Sequence, residues 1–135
     1  MMIDPKQSIL IVDDDADDRE SIRDAFLENY KRHEYIFFAG AEELLNYLHN
    51  ITGDGYPAVI LLDLNMPGMD ARDALKKIKA SQDMRHIPVV ILTTSSSHAD
   101  RQNSYKLGAN CFVTKPDTYT KLVAITDSIA RLWVA

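Results

Sequence analysis

The sequence lacks the features of an exported or membrane-embedded protein. It has a single cysteine, Cys111, so it cannot form the internal disulfides that support many small secreted domains. It has no run of about 18 apolar residues, so no transmembrane helix is predicted. Its first residues, MMIDPKQS, hold no apolar stretch of signal-peptide length. We therefore expect a cytoplasmic protein with no membrane partner, in which Cys111 is a buried, unreactive thiol.

An excess of positive charge is also missing. The 15 Lys and Arg residues are outnumbered by 20 Asp and Glu residues, which gives a net charge of −5. Phosphate backbones are bound by clustered basic side chains, so this balance argues against direct contact with nucleic acid. The length of 135 residues and the apolar share of 46% suit one globular core. We expect a single domain over residues 1–135.

Short apolar runs alternate with amphipathic segments along the chain. Runs that are apolar at every position predict strands covered on both faces of a sheet. Five such strand–helix units, joined by right-handed crossovers, predict an α/β fold with helices on both faces of a parallel sheet. We expect the flavodoxin-like, doubly wound arrangement with five strands in the order 2-1-3-4-5. The predicted strands are residues 8–12, 35–39, 58–62, 87–93 and 110–114.

Polar residues mark the starts of the predicted helices. Asp15 is expected to cap the first helix, and Asp17 and Asp18 to interact with its positive end and with solvent. Ser97 and Asp100 have the spacing of a capping box at the start of the fourth helix. The last helix is predicted to bury an apolar stripe made of Leu122, Ile125, Ile129 and Leu132.

Side chains able to do chemistry occur where the predicted strands end. Asp13 and Asp14 follow the first strand, and Asp63 follows the third. The fourth strand ends in Thr93, and Lys115 follows the fifth. Ligands of doubly wound sheets bind beyond the carboxyl ends of the strands, at the point where the strand order reverses. We therefore expect these five side chains to line one crevice.

Carboxylates that share a crevice need positive charge. Two carboxylates about 4 Å apart repel by about 4 kcal/mol at an effective dielectric constant of about 20. Mg²⁺ binds carboxylate oxygens while keeping several waters, and Lys115 adds a second positive charge. With both present, one carboxylate can accept a phosphoryl group. Asp63 is the expected nucleophile because it stands alone at its strand end, whereas Asp13 and Asp14 can share the metal.

Four segments carry a family resemblance that covers almost the whole chain. They are ILIVDDD, ILLDLNMPGMD, PVVILTTS and CFVTKP, which resemble, in order, the signature segments of bacterial response-regulator receiver domains. The resemblance implies a stand-alone phosphorylation-dependent switch in a two-component, His-Asp phosphorelay. A sensor histidine kinase or a histidine phosphotransfer protein would be the phosphodonor. The domain would not be an enzyme for outside substrates, but would catalyse its own phosphorylation and dephosphorylation with Mg²⁺.

The resemblance also implies roles for particular residues. Asp63 would be the phosphoacceptor and would become 4-aspartylphosphate. Asp13 and Asp14 would form the acidic pair. The magnesium ligands would be Asp14, Asp63 and the backbone carbonyl of Asn65, with Asp13 beside them. Lys115 would bind the phosphoryl oxygens.

Further implications concern the switch and two details of the chain. Thr93 would bond the phosphoryl group, and Phe112 would be the aromatic switch residue. The face formed by the fourth helix, fifth strand and fifth helix would change shape and could support a homodimer. The Lys115–Pro116 bond resembles a cis peptide of the family. Ala71 stands where the family commonly has Gly, so it would be strained if its backbone needed a positive φ.

Other functions fit the sequence less well. A calcium loop is excluded because Asp18 and Asp24 replace the Gly and Glu that it requires. A flavodoxin-type electron carrier needs a Gly- and hydroxyl-rich loop where this chain has acids. A haloacid-dehalogenase-like, Mg²⁺-dependent phosphatase would carry its acidic motif after the first strand, whereas DLNMP follows the third. The main alternative is a pseudo-receiver that acts only by protein contact, and the complete acidic and lysine set argues against it.

Overall fold

The structure is a computed structural model that describes residues 8–51 and 55–134. Residues 1–7, 52–54 and 135 of the predicted domain lie outside this description. Within the described ranges, five strands and five helices alternate. The strands are β1 (Ser8–Val12), β2 (Glu34–Phe38), β3 (Val59–Leu62), β4 (Val89–Thr93) and β5 (Cys111–Thr114). The helices are α1 (Ala16–Leu27), α2 (Ala41–His49), α3 (Ala71–Ala80), α4 (His98–Lys106) and α5 (Tyr119–Trp133).

The five strands form one parallel sheet in the order β2-β1-β3-β4-β5, which confirms the predicted topology. β1 has the predicted bounds, while β3, β4 and β5 each begin one or two residues later than predicted. Ile87 and Pro88 precede β4, and the carbonyl of Pro88 accepts a bond from the N–H of Ile60 at 2.9 Å. The apolar runs therefore overstate these three strands at their amino ends, whereas β2 begins and ends one residue earlier than predicted.

Alternate residues of the central strands enter two separate cores, as the pleat of a strand requires. Leu10 and Ile60 lie in the core on the α2 and α3 face, whereas Ile9 and Leu61 lie in the core shared with α1 and α5. Burying one such side chain contributes about 1.5–3 kcal/mol. The double covering therefore gives the ends of β1, β3 and β4 a rigid support.

The edge strand β5 and helix α5 are less covered than predicted. α5 buries Leu122, Thr126, Ile129 and Ala130, but Leu132 is 68% exposed. The predicted stripe is wrong at Leu132 because that residue lies on the flank of α5 beside the open edge of the sheet. Cys111 is only half-buried for the same reason, since β5 is an edge strand. None of the described helices is long and apolar enough to cross a membrane.

Helix α4 has a cap but little buried surface. The Ser97 hydroxyl accepts the N–H of Asp100 at 3.2 Å, as predicted. The Asp100 carboxylate does not complete a capping box, because it binds the Ser95 hydroxyl at 2.6 Å and Arg72 of α3 at 3.2 Å. Ser104 is the one fully buried residue of this helix. Polar contacts to neighbouring elements therefore contribute much of what holds the start of α4.

One expectation taken from the family resemblance is wrong in this structure, and the condition attached to another is not met. No cis peptide occurs among the described residues, so the Lys115–Pro116 bond is trans, the form that X–Pro bonds ordinarily prefer. Ala71 carries no strain, because it is the buried first residue of α3 and follows the N-cap Asp70. The positive φ of this loop, +85°, falls on Gly68 instead.

Candidate functional site

The carboxyl ends of β1 and β3 bring three carboxylates together. One oxygen each of Asp13, Asp14 and Asp63 lies within 4.8 Å of the other two. Asp13 and Asp63 are 2% and 5% exposed, whereas Asp14 faces solvent. In the described part of the chain, this is the one group of His, Cys, Asp and Glu side chains with metal-binding spacing. Hard oxygen donors at this spacing suit a divalent cation, and the exposed side leaves room for water or a phosphoryl oxygen.

Backbone hydrogen bonds fix the two buried aspartates. The sheet continues one residue past its strands, because the N–H of Asp63 donates to the carbonyl of Val12 at 3.0 Å. In the same way, the N–H of Asp13 donates to the carbonyl of Phe38 at 3.0 Å. The Arg19 guanidinium donates to the Asp13 carbonyl at 2.7 Å. Both carboxylates are therefore placed by the sheet rather than by flexible loops.

Lys115 contacts the cluster through its ammonium. Its Nζ lies 2.7 Å from Asp13 Oδ2, 3.2 Å from Asp63 Oδ2 and 2.7 Å from Asp18 Oδ2. The lysine backbone is held too, because its N–H donates to the carbonyl of Thr93 at 2.6 Å. The expectation that Asp18 meets only the helix end and solvent is wrong. Asp18 lies in the first turn of α1, and its contact is with a residue 97 positions away in the sequence, which local spacing does not indicate.

Burial disfavours the charged forms of both Asp13 and Lys115, whereas the contact between them favours these charged forms. Burial raises the pKa of the Asp13 carboxyl above its ordinary value, although the hydrogen bond from Lys115 partly offsets this. Burial alone would lower the pKa of Lys115, but hydrogen bonds to Asp13 and Asp18 outweigh it and raise that pKa. Lys115 is therefore charged at neutral pH and supplies positive charge to an acidic pocket.

Asn65 links Asp63 to Thr93. Its backbone N–H donates to Asp63 Oδ1 at 3.1 Å, and its side-chain amide donates to Thr93 Oγ1 at 3.2 Å and to Thr94 Oγ1 at 3.3 Å. Thr93 is fully buried. The structure thus brings both residues to the site. The role of the Asn65 carbonyl as a metal ligand stays a prediction.

Phe112 lies under α4 rather than among the carboxylates. It is 4% exposed, and its N–H donates to the hydroxyl of Tyr105 at 3.0 Å. The guanidinium of Arg101 lies 5.3 Å from the centre of its ring, within the range of a cation–π contact. Phe112 therefore couples β5 to α4, and its role as a switch stays a prediction.

Comparisons with known proteins agree with this geometry. The family model for the response regulator receiver domain matches residues 9–127. Response regulator Rcp1 of Synechocystis is 32% identical over 133 residues, covering 96% of this chain and 90% of Rcp1. Response regulator Rre1 of the same organism is 33% identical over 123 residues, and the match spans 51% of its length.

Solved structures of response regulators share this fold, and two of them illustrate the similarity. The phosphorylated cyanobacterial phytochrome response regulator RcpA has a TM-score of 0.88 and 32% identity, over 97% of this chain and 96% of that one. The Mn²⁺-bound form of Rcp1 has a TM-score of 0.83 and 34% identity, over 96% and 94%. The chain belongs to the response-regulator receiver family, which signals by phosphorylation in two-component systems.

Proposed function

We propose that Asp63 is the phosphoacceptor of this receiver domain and that Mg²⁺ is its cofactor. The observation that carries the proposal is the position of the Asp63 carboxylate, beside Asp13 and Asp14 and 3.2 Å from the Lys115 ammonium. Both Asp13 oxygens are held more tightly, by the Asp15 N–H at 2.9 Å and by Lys115 at 2.7 Å. Both Asp63 oxygens also accept hydrogen bonds, but longer ones, from the Asn65 N–H at 3.1 Å and from Lys115 at 3.2 Å. This supports Asp63 as the nucleophile, and the exposed Asp14 lies at the rim.

The proposed reaction is a phosphoryl transfer from a phosphohistidine. An oxygen of Asp63 attacks phosphorus, the new O–P bond forms, and the P–N bond breaks with its electron pair remaining on the imidazole. The donor is a sensor histidine kinase or a histidine phosphotransfer protein. Attack by water later breaks the O–P bond, releasing inorganic phosphate and the Asp63 carboxylate. The domain catalyses both steps on itself and has no outside substrate.

The residues around Asp63 supply charge and position. Asp13, Asp14 and Asp63, with the Asn65 carbonyl, would hold Mg²⁺, which when bound supplies positive charge to the phosphoryl oxygens. The Mn²⁺-bound form of the similar Rcp1 supports a divalent cation. Lys115 would supply a second positive charge to the phosphoryl oxygens, from the position where its ammonium contacts Asp63. Such charge stabilisation is most of what phosphoryl transfer asks of a protein.

The proposed output is a change in the face formed by α4, β5 and α5. The Thr93 hydroxyl would turn to the phosphoryl group and leave Asn65, and Phe112 would follow. Changing a 1:99 population to 99:1 takes about 5.5 kcal/mol of differential stabilisation. A groove lined by Cys111, Val113 and the exposed Leu132 supports a protein partner or a homodimer at this face.

Residues 1–135 are proposed to form one receiver domain, and the family match over residues 9–127 supports this. The acidic composition supports a cytoplasmic protein that passes its signal by protein contact, without direct binding to nucleic acid or membrane. The downstream partner is therefore expected to be a protein.

The test is phosphorylation by acetyl phosphate in the presence of Mg²⁺, followed by intact mass spectrometry. We expect one phosphoryl adduct on the wild-type protein and none on Asp63→Asn. Asp73→Asn, which removes an exposed carboxylate from α3, is the matched control and should accept the group normally. If the wild-type protein shows no adduct and no response to beryllofluoride, the pseudo-receiver alternative is correct. Repeated turnover of a phosphomonoester would favour the phosphatase alternative.

A further inference from the structure

The Lys115 ammonium has a contact that the phosphoryl chemistry does not use. Asp18 Oδ2 lies 2.7 Å from Nζ, as close as Asp13 and closer than Asp63 at 3.2 Å. An ammonium has three N–H donors, and these three carboxylates match them one to one. A phosphoryl group on Asp63 can take over the contact of Asp63 itself, but Lys115 can bind a further phosphoryl oxygen only if its contact with Asp13 or Asp18 is released.

The exposure of the three carboxylates indicates which contact is released. The Asp13 and Asp63 side chains are 2% and 6% exposed, whereas that of Asp18 is 41% exposed. Asp63 carries the phosphoryl group and is no longer a free carboxylate, but Asp13 would be left unpaired in a poorly solvated site, which is strongly unfavourable. Water can replace the ammonium at Asp18, because an ion pair with one exposed partner is weak. Asp18 is therefore the contact that a phosphoryl group displaces most easily.

The local structure of α1 holds Asp18 in this position. The side chain of the N-cap Asp15 accepts the backbone N–H of Asp18 at 3.2 Å and that of Asp17 at 2.9 Å. This cap fixes the first turn of α1 at the edge of the pocket. The Asp18 carboxylate consequently reaches Lys115 from the first turn of α1 and is partly exposed to solvent.

We propose that Asp18 is a positioning residue that holds Lys115 in the unphosphorylated protein and competes with the phosphoryl group for its ammonium. The inference rests on the proposed roles of Asp63 and Lys115. Its consequence is that the Asp18 carboxylate lowers the affinity of the site for a phosphoryl group. The unphosphorylated state is thereby favoured by a contact made through the helix α1.

The test compares Asp18→Asn with Asp17→Asn by titration with beryllofluoride in Mg²⁺, followed by ¹⁹F NMR of the bound anion. Both variants remove one charge from the first turn of α1, but within the described residues Asp17 forms no ion pair. We expect Asp18→Asn to lower the half-saturating concentration about two- to five-fold, the range set by an exposed ion pair. Asp17→Asn should change it by much less.

Two further measurements separate competition for Lys115 from a structural defect. Asp18→Glu keeps the charge and should return the half-saturating concentration towards the wild-type value. Added salt should narrow the difference between wild type and Asp18→Asn, because it screens an exposed pair. Circular dichroism checks that each variant is folded.

The outcomes distinguish this inference from the proposed function. Wild-type protein that does not bind beryllofluoride overturns both. Wild-type protein that binds it, with Asp18→Asn matching Asp17→Asn or binding more weakly than wild type, overturns the role of Asp18 alone. A difference that added salt leaves unchanged also overturns it, since competition for an exposed ion pair must be screened.

Discussion

Two lysines lie at opposite ends of the sheet and have different partners. Lys115, beyond the carboxyl ends of the strands, is surrounded by carboxylates. Lys79, in the last turn of α3, donates to the carbonyl oxygens of Arg85 at 3.1 Å and Ile87 at 2.7 Å, and to Asn110 Oδ1 at 3.0 Å. Lys115 is bound by carboxylates that another anionic group can replace. Lys79 is bound by neutral oxygens of the backbone and of an amide.

The difference in partners explains the difference in electrostatics. Desolvation lowers the pKa of Lys79, and among the residues that the structure describes no carboxylate pairs with its ammonium. Burial acts on Lys115 in the same direction, but hydrogen bonds to Asp13 and Asp18 outweigh it and raise the pKa. Lys79 instead joins α3 to the segments before β4 and β5. Gly108 confirms how closely that end is packed, since a Cβ there would lie 2.7 Å from Lys79 Cγ. The carboxyl ends of the strands thus hold the candidate phosphorylation site, whereas the contacts of Lys79 at the amino ends contribute to stability.

The largest effect is expected from Lys115→Met, which removes the charge beside Asp63. Deleting one group that stabilises developing charge costs about 100-fold or more in rate, so phosphorylation by acetyl phosphate should slow by at least this factor. The rate is measured by intact mass against time. Lys121→Met removes an exposed lysine of α5 that pairs with Asp117, which precedes the helix. This variant should be phosphorylated at the wild-type rate. Equal rates for both variants would contradict the role given to Lys115.

Mg²⁺ bound at Asp14 should increase the free energy of unfolding of the protein. A ligand at about 100 times its dissociation constant adds about 2.7 kcal/mol to the free energy of unfolding. We expect that gain in the wild-type protein, its loss on chelation, and less than half of it in Asp14→Asn. Urea denaturation with and without Mg²⁺ measures it. Asp17→Asn, with the same charge change, should keep the gain, and an equal loss in both variants would show a general charge effect.

Lys79→Met should lower the free energy of unfolding by weakening the contacts at the amino ends of the strands. The Asn110 amide oxygen loses one of its two donors and keeps the N–H of Val89. The substitution also removes the Lys79 donor from the Ile87 carbonyl, and leaving such an acceptor unpaired costs about 1–3 kcal/mol when it is buried. Urea denaturation should show this loss, while phosphorylation by acetyl phosphate continues at close to the wild-type rate. Lys76→Met, on the exposed face of the same helix, should leave stability unchanged. A phosphorylation defect in Lys79→Met would mean that the two ends are coupled.

The smallest expected effect is the change with pH in the contribution of Lys79 to the free energy of unfolding. The pKa of Lys79 is lowered in the folded state by desolvation, so between that pKa and the ordinary lysine value the unfolded chain binds more protons. Stability from this group therefore rises with pH across that window. The difference in unfolding free energy between wild type and Lys79→Met should widen between neutral pH and the ordinary lysine pKa. A narrowing difference would reverse the assigned sign.

The sequence predicted the fold where one rule decides the structure. Apolar strands alternating with amphipathic helices predicted the parallel sheet, and the strand order was chosen from the few arrangements that right-handed crossovers allow. The cap at Asp15 followed from its position before α1. The prediction was wrong at Leu132, because helical periodicity does not show which flank of α5 the edge of the sheet leaves open.

The site was predicted in part for a similar reason. Asp13, Asp14, Asp63 and Lys115 converge because strand ends meet at one edge of a parallel sheet. Asp18 was missed because its contact depends on the reach of a side chain 97 residues away. The trans Lys115–Pro116 bond differs from what the family resemblance implied, since that bond was inferred from likeness alone.

The most direct test of the account is to locate the phosphoryl group. After reaction with acetyl phosphate and Mg²⁺, borohydride reduces an aspartyl phosphate to homoserine, which peptide mass spectrometry assigns to one position. The account predicts homoserine at Asp63, at a yield that follows the intact-mass adduct, and no homoserine at Asp13 or Asp14. Homoserine at another aspartate, with Asp63 unchanged, would contradict it.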